Sequence, residues 1–262
     1  MDYQAHDILP FSQTSYVAPT AADEVLPILR EKNLPDEIAL EIASLGYSPG
    51  LSKRRVRQQV YHVSNYGTPT NQANITGLYL STNRMPENGW RVGPQRIIFQ
   101  TRAKDQGWAD AGGDGTFENS HTWFEASILR SFPLGTEGND RDVTLEDDLS
   151  ISWQTAVTMD LNANSSRNDL RERGWDFVQA ADGRIAWKVC NNITASNQYR
   201  DYRVEWRRGF QAEDVDEMAV GRGEGFLELL EPGFIVVLWA RAQQWNWRNF
   251  VGAATIEIKY EL

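Results

Sequence analysis

Residues 234–262, FIVVLWARAQQWNWRNFVGAATIEIKYEL, contain two apolar segments on either side of a polar stretch that carries two tryptophans. The segments FIVVLWARA (234–242) and ATIEIKYEL (254–262) are rich in β-branched and aromatic residues. The first is a continuous apolar run up to Ala240, which indicates a buried strand, and apolar residues largely alternate in the second. Alternation with period two is typical of a strand, because successive side chains point to opposite faces of a sheet. The stretch therefore predicts two β-strands joined through residues 243–253.

Six more segments of this kind precede these two strands. They are GLYLST (77–82), RIIFQTRA (96–103), TWFEASIL (122–129), LSISWQTAV (149–157), RIAWKVC (184–190) and YRVEWRR (202–208). Only residues 223–230 suggest a helix between them. Parallel strands need long crossovers that are usually helical, so the pattern favours a mainly β fold, an antiparallel two-sheet sandwich of jelly-roll type.

The first quarter of the chain has a different pattern. Residues 1–20 lack periodicity and are expected to form an extended arm, whereas residues 21–65 are expected to be a helical segment before a sandwich domain over residues 73–262. Pro35 follows a break at Asn33 and opens a second short helix. Residues 51–61 are expected to continue helically, with the basic run 53–57 on a solvated helix face. We expect residues 21–61 to pack against the sandwich.

Composition limits the classes of partner. The formal net charge of −10 and a pI near 4.9 disfavour a nucleic-acid partner, because such proteins present a basic surface to the phosphates. The longest apolar run, residues 234–240, is far below the roughly 20 residues of a membrane helix, so no membrane partner is expected. A single cysteine, Cys190, and an N-terminus without a signal-peptide pattern predict a cytoplasmic protein.

Tryptophan is unusually frequent, with ten residues. Trp153, Trp187 and Trp206 lie inside alternating strands and are predicted to be core. Trp108, Trp245 and Trp247 follow strand ends and neighbour Gly, Asn or Gln, which leaves two interpretations: they pack in the core, or they present flat faces to a ring-shaped polar ligand such as a sugar. We predict that Trp247→Ala folds near normally but loses ligand binding, whereas Trp187→Ala is strongly destabilised.

A weak internal repeat links the two loop regions. Aligning Arg102-Ala103 with Arg241-Ala242 sets Trp108 opposite Trp247, and residues 126–128 opposite residues 254–256. A pseudo-twofold fold and chance similarity between two strand pairs both explain this alignment. The first copy has a longer connection, and insertions in a β framework usually form surface loops that carry recognition.

The loop over residues 107–123 concentrates acidic, amide and glycine residues. These residue types are compatible with a calcium site, but the spacing differs from the helix-loop-helix calcium signature. A ligand-binding or solvated loop is therefore favoured, and neither metal nor cofactor is expected. The Arg241 guanidinium is expected to share a face with the tryptophans of the second loop. The predicted ligand-binding residues are Trp108, Asp110, Asp114, Asn119, His121, Arg241, Trp245, Asn246 and Trp247.

Catalysis is the alternative function. His121 has the chemistry of a general base that Glu118 or Glu125 would orient, and the acidic runs 146–148 and 213–217 supply carboxylates of the kind that glycoside hydrolysis uses. The common zinc, nucleophile, phosphate and dinucleotide motifs are absent from the sequence. Cys190 lies in an apolar alternating segment and is expected to be an inert, half-buried thiol. No catalytic residue is assigned, and a non-enzymatic protein is favoured.

Two parts of the chain resemble known families. The segment LPDEIALEI (34–42) resembles the opening of an F-box, although the helical segment is incomplete for that module. The phrases TWFEASI, GFLELLEPGFIVVLWARA and WNWRNFVGAATIEI are similar to a domain found in fungal proteins, and the Trp-rich sandwich resembles F-box-associated sugar-binding domains and galactose-binding-like jelly rolls. The resemblance implies a cytosolic, lectin-like module for a glycan or polar small molecule, or alternatively an adaptor that binds a protein partner through its N-terminal helices.

Overall fold

The computed structural model describes residues 25, 27–46, 50–62, 74–85, 93–133, 164–210, 216–244 and 246–260. The predicted arm, the predicted strand at residues 149–157, Trp153 and Trp245 lie outside these residues. The mainly β fold is confirmed, because the described residues form ten strands in two antiparallel sheets.

Each sheet contains five strands. Sheet A contains β1 (Gly50–Arg55), β2 (Gln59–His62), β4 (Pro94–Lys104), β8 (Arg200–Arg207) and β10 (Arg248–Tyr260). Its order is β1-β10-β4-β8, with β2 also paired to β10. Sheet B contains β3 (Asn74–Ser81), β5 (Thr122–Ser131), β6 (Trp175–Phe177), β7 (Trp187–Asn191) and β9 (Ile235–Gln243). Its order is β3-β9-β5-β6, with β7 also paired to β5.

The two halves of the described β region have the same topology. Strands β1 to β5 correspond in order to β6 to β10. β4 pairs with β10, and its counterpart β9 pairs with β5. In the same way, β8 lies beside β4, and β3 lies beside β9. The short strands complete the pattern, since β1 and β2 flank β10 as β6 and β7 flank β5. This arrangement supports the pseudo-twofold interpretation of the sequence repeat.

The strand register corrects the repeat alignment by two residues. When Arg102 is matched to Arg241, Thr101 corresponds to Ala240. Thr101 pairs with Ala254 and Ala240 pairs with Phe124. Phe124, and not Ala126, is therefore the structural equivalent of Ala254. A two-residue shift keeps every side chain on the same face of its strand, so the sequence pattern alone could not detect the error.

Residues from both sheets share one hydrophobic core, as in a two-layer sandwich. Trp187 and Trp206 are buried in it, as predicted, and both rings pack edge-on against Phe226 with centroid distances of 5.1 Å and 5.0 Å. A second apolar cluster joins Trp239, Phe177 and Leu170. Leu170 belongs to helix α2 (Asn164–Glu172), which contacts β6 and so places this cluster on the other face of sheet B.

Residues 50–55 and 59–62 form strands, so the prediction that residues 51–61 are helical is wrong. β1 pairs with the last part of β10, and β2 pairs with its first part. The sandwich therefore begins at residue 50 and not at residue 73, and the basic run 53–57 lies at the edge of sheet A. Tyr61 fixes β2 against sheet B: its ring occupies the space where a Cβ on Gly77 would lie, and its hydroxyl donates to the Leu78 carbonyl at 3.2 Å. These long-range contacts outweigh the local pattern.

The helices near the N-terminus expose an apolar face. Residues 28–31 are helical, and helix α1 (Asp36–Gly46) follows. Asn33, with a φ of +58°, lies between them, so the predicted break between two helices is confirmed. Ile28, Ile38 and Ile42 are 55%, 43% and 42% exposed. The expected packing against the sandwich does not cover these three side chains. Among the described helices, none has the length and apolar character needed to cross a membrane.

Candidate functional site

The β4–β5 loop and the β9–β10 turn meet at one end of the sandwich. β4 pairs with β10 and β5 with β9, and this brings the two connections together. The rings of Trp108 and Trp247 lie 6.5 Å apart, and the amide oxygen of Gln106 accepts a 3.0 Å hydrogen bond from the backbone N–H of Arg248. The sequence repeat had placed these two tryptophans opposite each other, and the structure brings them into contact.

The two tryptophans differ in burial. Trp108 is 43% exposed, whereas Trp247 is only 5% exposed. Gln244 and Asn246 have φ values of +72° and +70°, so the chain turns sharply after β9 and the ring of Trp247 lies among its neighbours. Trp247 therefore supports Trp108 and does not present a face of its own, in contrast to the platform expected from its position after a strand.

A buried carboxylate shapes the start of the β4–β5 loop. Asp105 is fully buried and accepts hydrogen bonds from the N–H groups of Gly107 and Ala195 at 2.7 Å and 2.6 Å. Burial raises the pKa of Asp105, and the nearby Asp114 carboxylate adds to this, although the backbone donors act in the opposite direction. Gly107, with a φ of +90°, allows the tight turn that leads to Trp108.

The rest of the loop is tied to the segment after β7. Thr194 exchanges backbone hydrogen bonds with Gly115 and Thr116 at 2.9 Å and 2.8 Å, and its hydroxyl donates to the Glu118 carbonyl at 2.7 Å. Asn119, with a φ of +54°, donates from its side-chain amide to the Ala111 carbonyl at 3.0 Å. Asp110, Asp114 and Asn119 are exposed on this loop. The loop is thus held in shape by its own hydrogen bonds.

Arg241 lies below the loops and does not reach Trp247. Its guanidinium is 3.1 Å from a carboxylate oxygen of Glu125 and 5.2 Å from the ring centroid of Trp123, whose indole also donates to Glu125 at 2.9 Å. β9 ends at Gln243, so the unbroken strand that would have aligned Arg241 with Trp245 and Trp247 does not form. The structure supports a role for Arg241 in holding sheet B together.

Two buried asparagines that the sequence did not predict, Asn192 and Asn249, anchor the loop end. Asn249 donates to the carbonyls of Trp123 and Arg241, each at 3.1 Å, and accepts a 3.0 Å hydrogen bond from Asn192. Both asparagines are fully buried. A buried side-chain amide needs several hydrogen-bond partners. An asparagine within a strand-like segment is therefore the sequence feature that could have indicated these anchors.

The geometry expected of a catalytic histidine is not found among the described residues. His121 packs edge-on against Trp247 at 4.7 Å, and burial lowers its pKa. Glu125, one of its two proposed orienters, instead contacts Trp123 and Arg241. Residues 146–148 and 213–215 lie outside the described part of the chain. Within that part, no group of three or more acidic, His or Cys residues is arranged to hold a metal.

Cys190 is more deeply buried than the half-buried thiol we expected. Its sulfur is 3.7 Å from the hydroxyl oxygen of Thr101, and burial raises the pKa of the thiol to about 12. A thiol in this state is almost entirely protonated near neutral pH, so it is a poor nucleophile.

The sequence matches no protein-family model, and no curated protein sequence matches it either. The resemblance to F-box-associated and galactose-binding-like domains therefore stays a prediction.

Proposed function

We propose that this protein is a non-enzymatic β-sandwich that binds a carbohydrate, with the exposed ring of Trp108 as the main contact. The observation that carries the proposal is the presentation of this ring: it is 43% exposed, packs against a buried tryptophan, and its own carbonyl accepts a 2.7 Å hydrogen bond from the Gln106 amide. A large aromatic ring that is already fixed at the surface loses little side-chain entropy when a ligand binds to it.

The chemistry around Trp108 suits a sugar. The C–H face of a pyranose packs on a flat ring, while exposed carboxylate and amide groups on the same loop, from Asp110, Asp114 and Asn119, are available to its hydroxyls. A contact that removes about 50 Å² of apolar surface from water contributes ~1.3 kcal/mol, close to tenfold in affinity. One such platform fits a weak binder of polar ligands.

A glycan array with the purified protein, followed by calorimetric titration of the best saccharide, tests the proposal. Trp108→Ala is expected to weaken binding by about tenfold or more, and Trp108→Phe to retain part of the affinity. Phe210→Ala is the matched control, because Phe210 is a 62% exposed aromatic residue outside the loop. Wild-type affinity in Trp108→Ala, or no bound glycan on the array, contradicts the proposal.

A second candidate function has one observation in its favour. Ile28, Ile38 and Ile42 form exposed apolar surface on the N-terminal helices, as a protein-interaction adaptor would require. The F-box resemblance suggests the ubiquitin-ligase scaffold as the partner. We expect a pull-down with purified scaffold protein to retain the wild-type chain and to lose Ile38→Glu. Failure of the wild-type chain to bind removes this candidate.

A further inference from the structure

A cavity of about 270 Å³ opens beside β7, on a part of the sandwich not included in the Trp108 loop. It is lined mainly by charged residues: Arg184, Lys188, Glu217, Arg222 and Glu224, with Trp187. Three cationic side chains and two carboxylates therefore line the cavity. Asp182 and Asp216 lie beside Arg184 and Lys188, so any bound anion depends on donors that these carboxylates do not use.

The cationic groups retain capacity to bind an anion. Lys188 donates to the carbonyls of Glu217 and Met218 at 2.8 Å and 3.1 Å, which uses two of the three hydrogens on its ammonium. Arg184 lies over the ring of Trp187 at 5.6 Å and pairs with Asp182. Arg222 is held by one contact of 2.8 Å to Glu217, a carboxylate whose side chain is 71% exposed.

The loop over residues 221–225, GRGEG, adds a backbone donor. The indoles of Trp206 and Trp187 donate to the carbonyls of Gly221 and Glu224 at 2.8 Å and 2.7 Å. All described peptide bonds are trans, and in a trans peptide the N–H points opposite to the C=O. The N–H of Arg222, a residue that lines the cavity, consequently points away from the buried Trp206 indole, and it donates no hydrogen bond to any residue that the structure describes.

Close packing fixes this loop in place. A Cβ on Gly221 would overlap the Lys188 backbone, and a Cβ on Gly223 would overlap the ring of Trp206. The φ of Gly223 is also +66°, which favours glycine. The backbone N–H of Arg222 is thus held on a closely packed loop, an arrangement that suits oxyanion binding.

We propose that this pocket binds the phosphate group of a small molecule. A phosphate carries up to two charges and several acceptor oxygens, which match an ammonium, two guanidinium groups and the backbone N–H of Arg222 better than a carboxylate does. Glu217 competes with the ligand for Arg222. The site is independent of the carbohydrate proposal, since the Trp108 loop carries exposed carboxylates that repel an anion.

Titration with inorganic phosphate at constant ionic strength tests the site, with binding followed through the indole N–H resonances of Trp187 and Trp206. Saturable binding is expected. Lys188→Gln and Arg222→Gln should each weaken it by about tenfold or more, because each removes a charge-assisted donor. Arg54→Gln is the control, because it makes the same charge change at an exposed position on β1 and should bind like the wild type.

Glu217→Gln tests the proposal even if the cationic variants are unstable. Glu217 is highly exposed, so its replacement spares the fold, and removal of its charge should tighten phosphate binding severalfold. Unchanged or weaker binding in Glu217→Gln overturns the proposal. Equal loss in Arg54→Gln would reveal nonspecific attraction, and acetate binding as tight as phosphate would rule out a phosphate site; either result also overturns it.

Discussion

Replacement of Trp247 by Ala separates the supporting tryptophan from the exposed one. Trp247 is only 5% exposed, and its ring contacts His121 at 4.7 Å and Trp108 at 6.5 Å. Removal of this ring leaves a cavity under the loop end and eliminates both aromatic contacts. Trp108→Ala, in contrast, removes a ring that is already 43% exposed and makes only one of these contacts.

The expected magnitudes differ clearly. Truncation of a buried tryptophan to alanine costs about 3–5 kcal/mol, and for a chain of this size each kcal/mol lowers the melting temperature by about 2–4 °C. Trp247→Ala should therefore melt about 6–20 °C below the wild type. Loss of the single aromatic contact in Trp108→Ala costs about 0.5–1.5 kcal/mol, or about 1–6 °C.

Differential scanning calorimetry of the wild type and the two variants measures this difference. Phe210→Ala serves as the control for loss of an exposed aromatic side chain, and its melting temperature should stay close to that of the wild type. If Trp247→Ala melts at the same temperature as Trp108→Ala, then Trp247 is not the supporting residue and the geometry argued for the loop end is wrong.

Three further predictions concern ionisable groups. Burial lowers the pKa of His121 below its ordinary value of 6.5, so this histidine binds a proton more readily in the unfolded chain. The stability of the protein should therefore fall as the pH drops below about 6.5. In thermal melts between about pH 7.5 and pH 5.5, His121→Gln should show a smaller decline than the wild type. Burial alone would raise the pKa of Asp176, but hydrogen bonds from Arg167 and Arg171 outweigh it and hold that pKa below 3.8. The contribution of Asp176 to stability is therefore present above pH 3.8 and lost on further acidification, and Asp176→Asn should cost ~1–3 kcal/mol in urea unfolding at neutral pH. Cys190 should resist a thiol reagent in the native protein and react once the protein is denatured, because burial raises its pKa to about 12; rapid labelling of the native protein would contradict this.

The strands that the sequence predicted carry alternation or a continuous apolar run over several residues. β4, β5 and β10 alternate over part of their length, whereas β9 is buried from Ile235 to Ala242 because its two faces contact the two apolar clusters. β1 and β2 left no such signal. In β1 only Leu51 is buried and residues 53–55 are charged, so its identity as a strand depends on pairing with β10, some 200 residues away.

The candidate site shows a similar division. The repeat placed Trp108 opposite Trp247, and this proximity follows from strand pairing that both halves share. The burial of Trp247 follows from the left-handed conformations of Gln244 and Asn246, which are residue types that a strand or a turn can contain. The cavity beside β7 was not predicted, because it forms from loop backbone and charged side chains that match no sequence motif.

The most direct test of carbohydrate binding is an NMR titration of the indole N–H resonances with the best saccharide from the array. The chain has ten tryptophans, and the Trp108 resonance is identified by its loss from the spectrum of Trp108→Phe. Our account predicts that the Trp108 resonance shifts most as the saccharide is added, while those of the buried Trp187 and Trp206 do not move. A saccharide that binds without shifting the Trp108 resonance, or that shifts mainly that of Trp187, would contradict the proposed site.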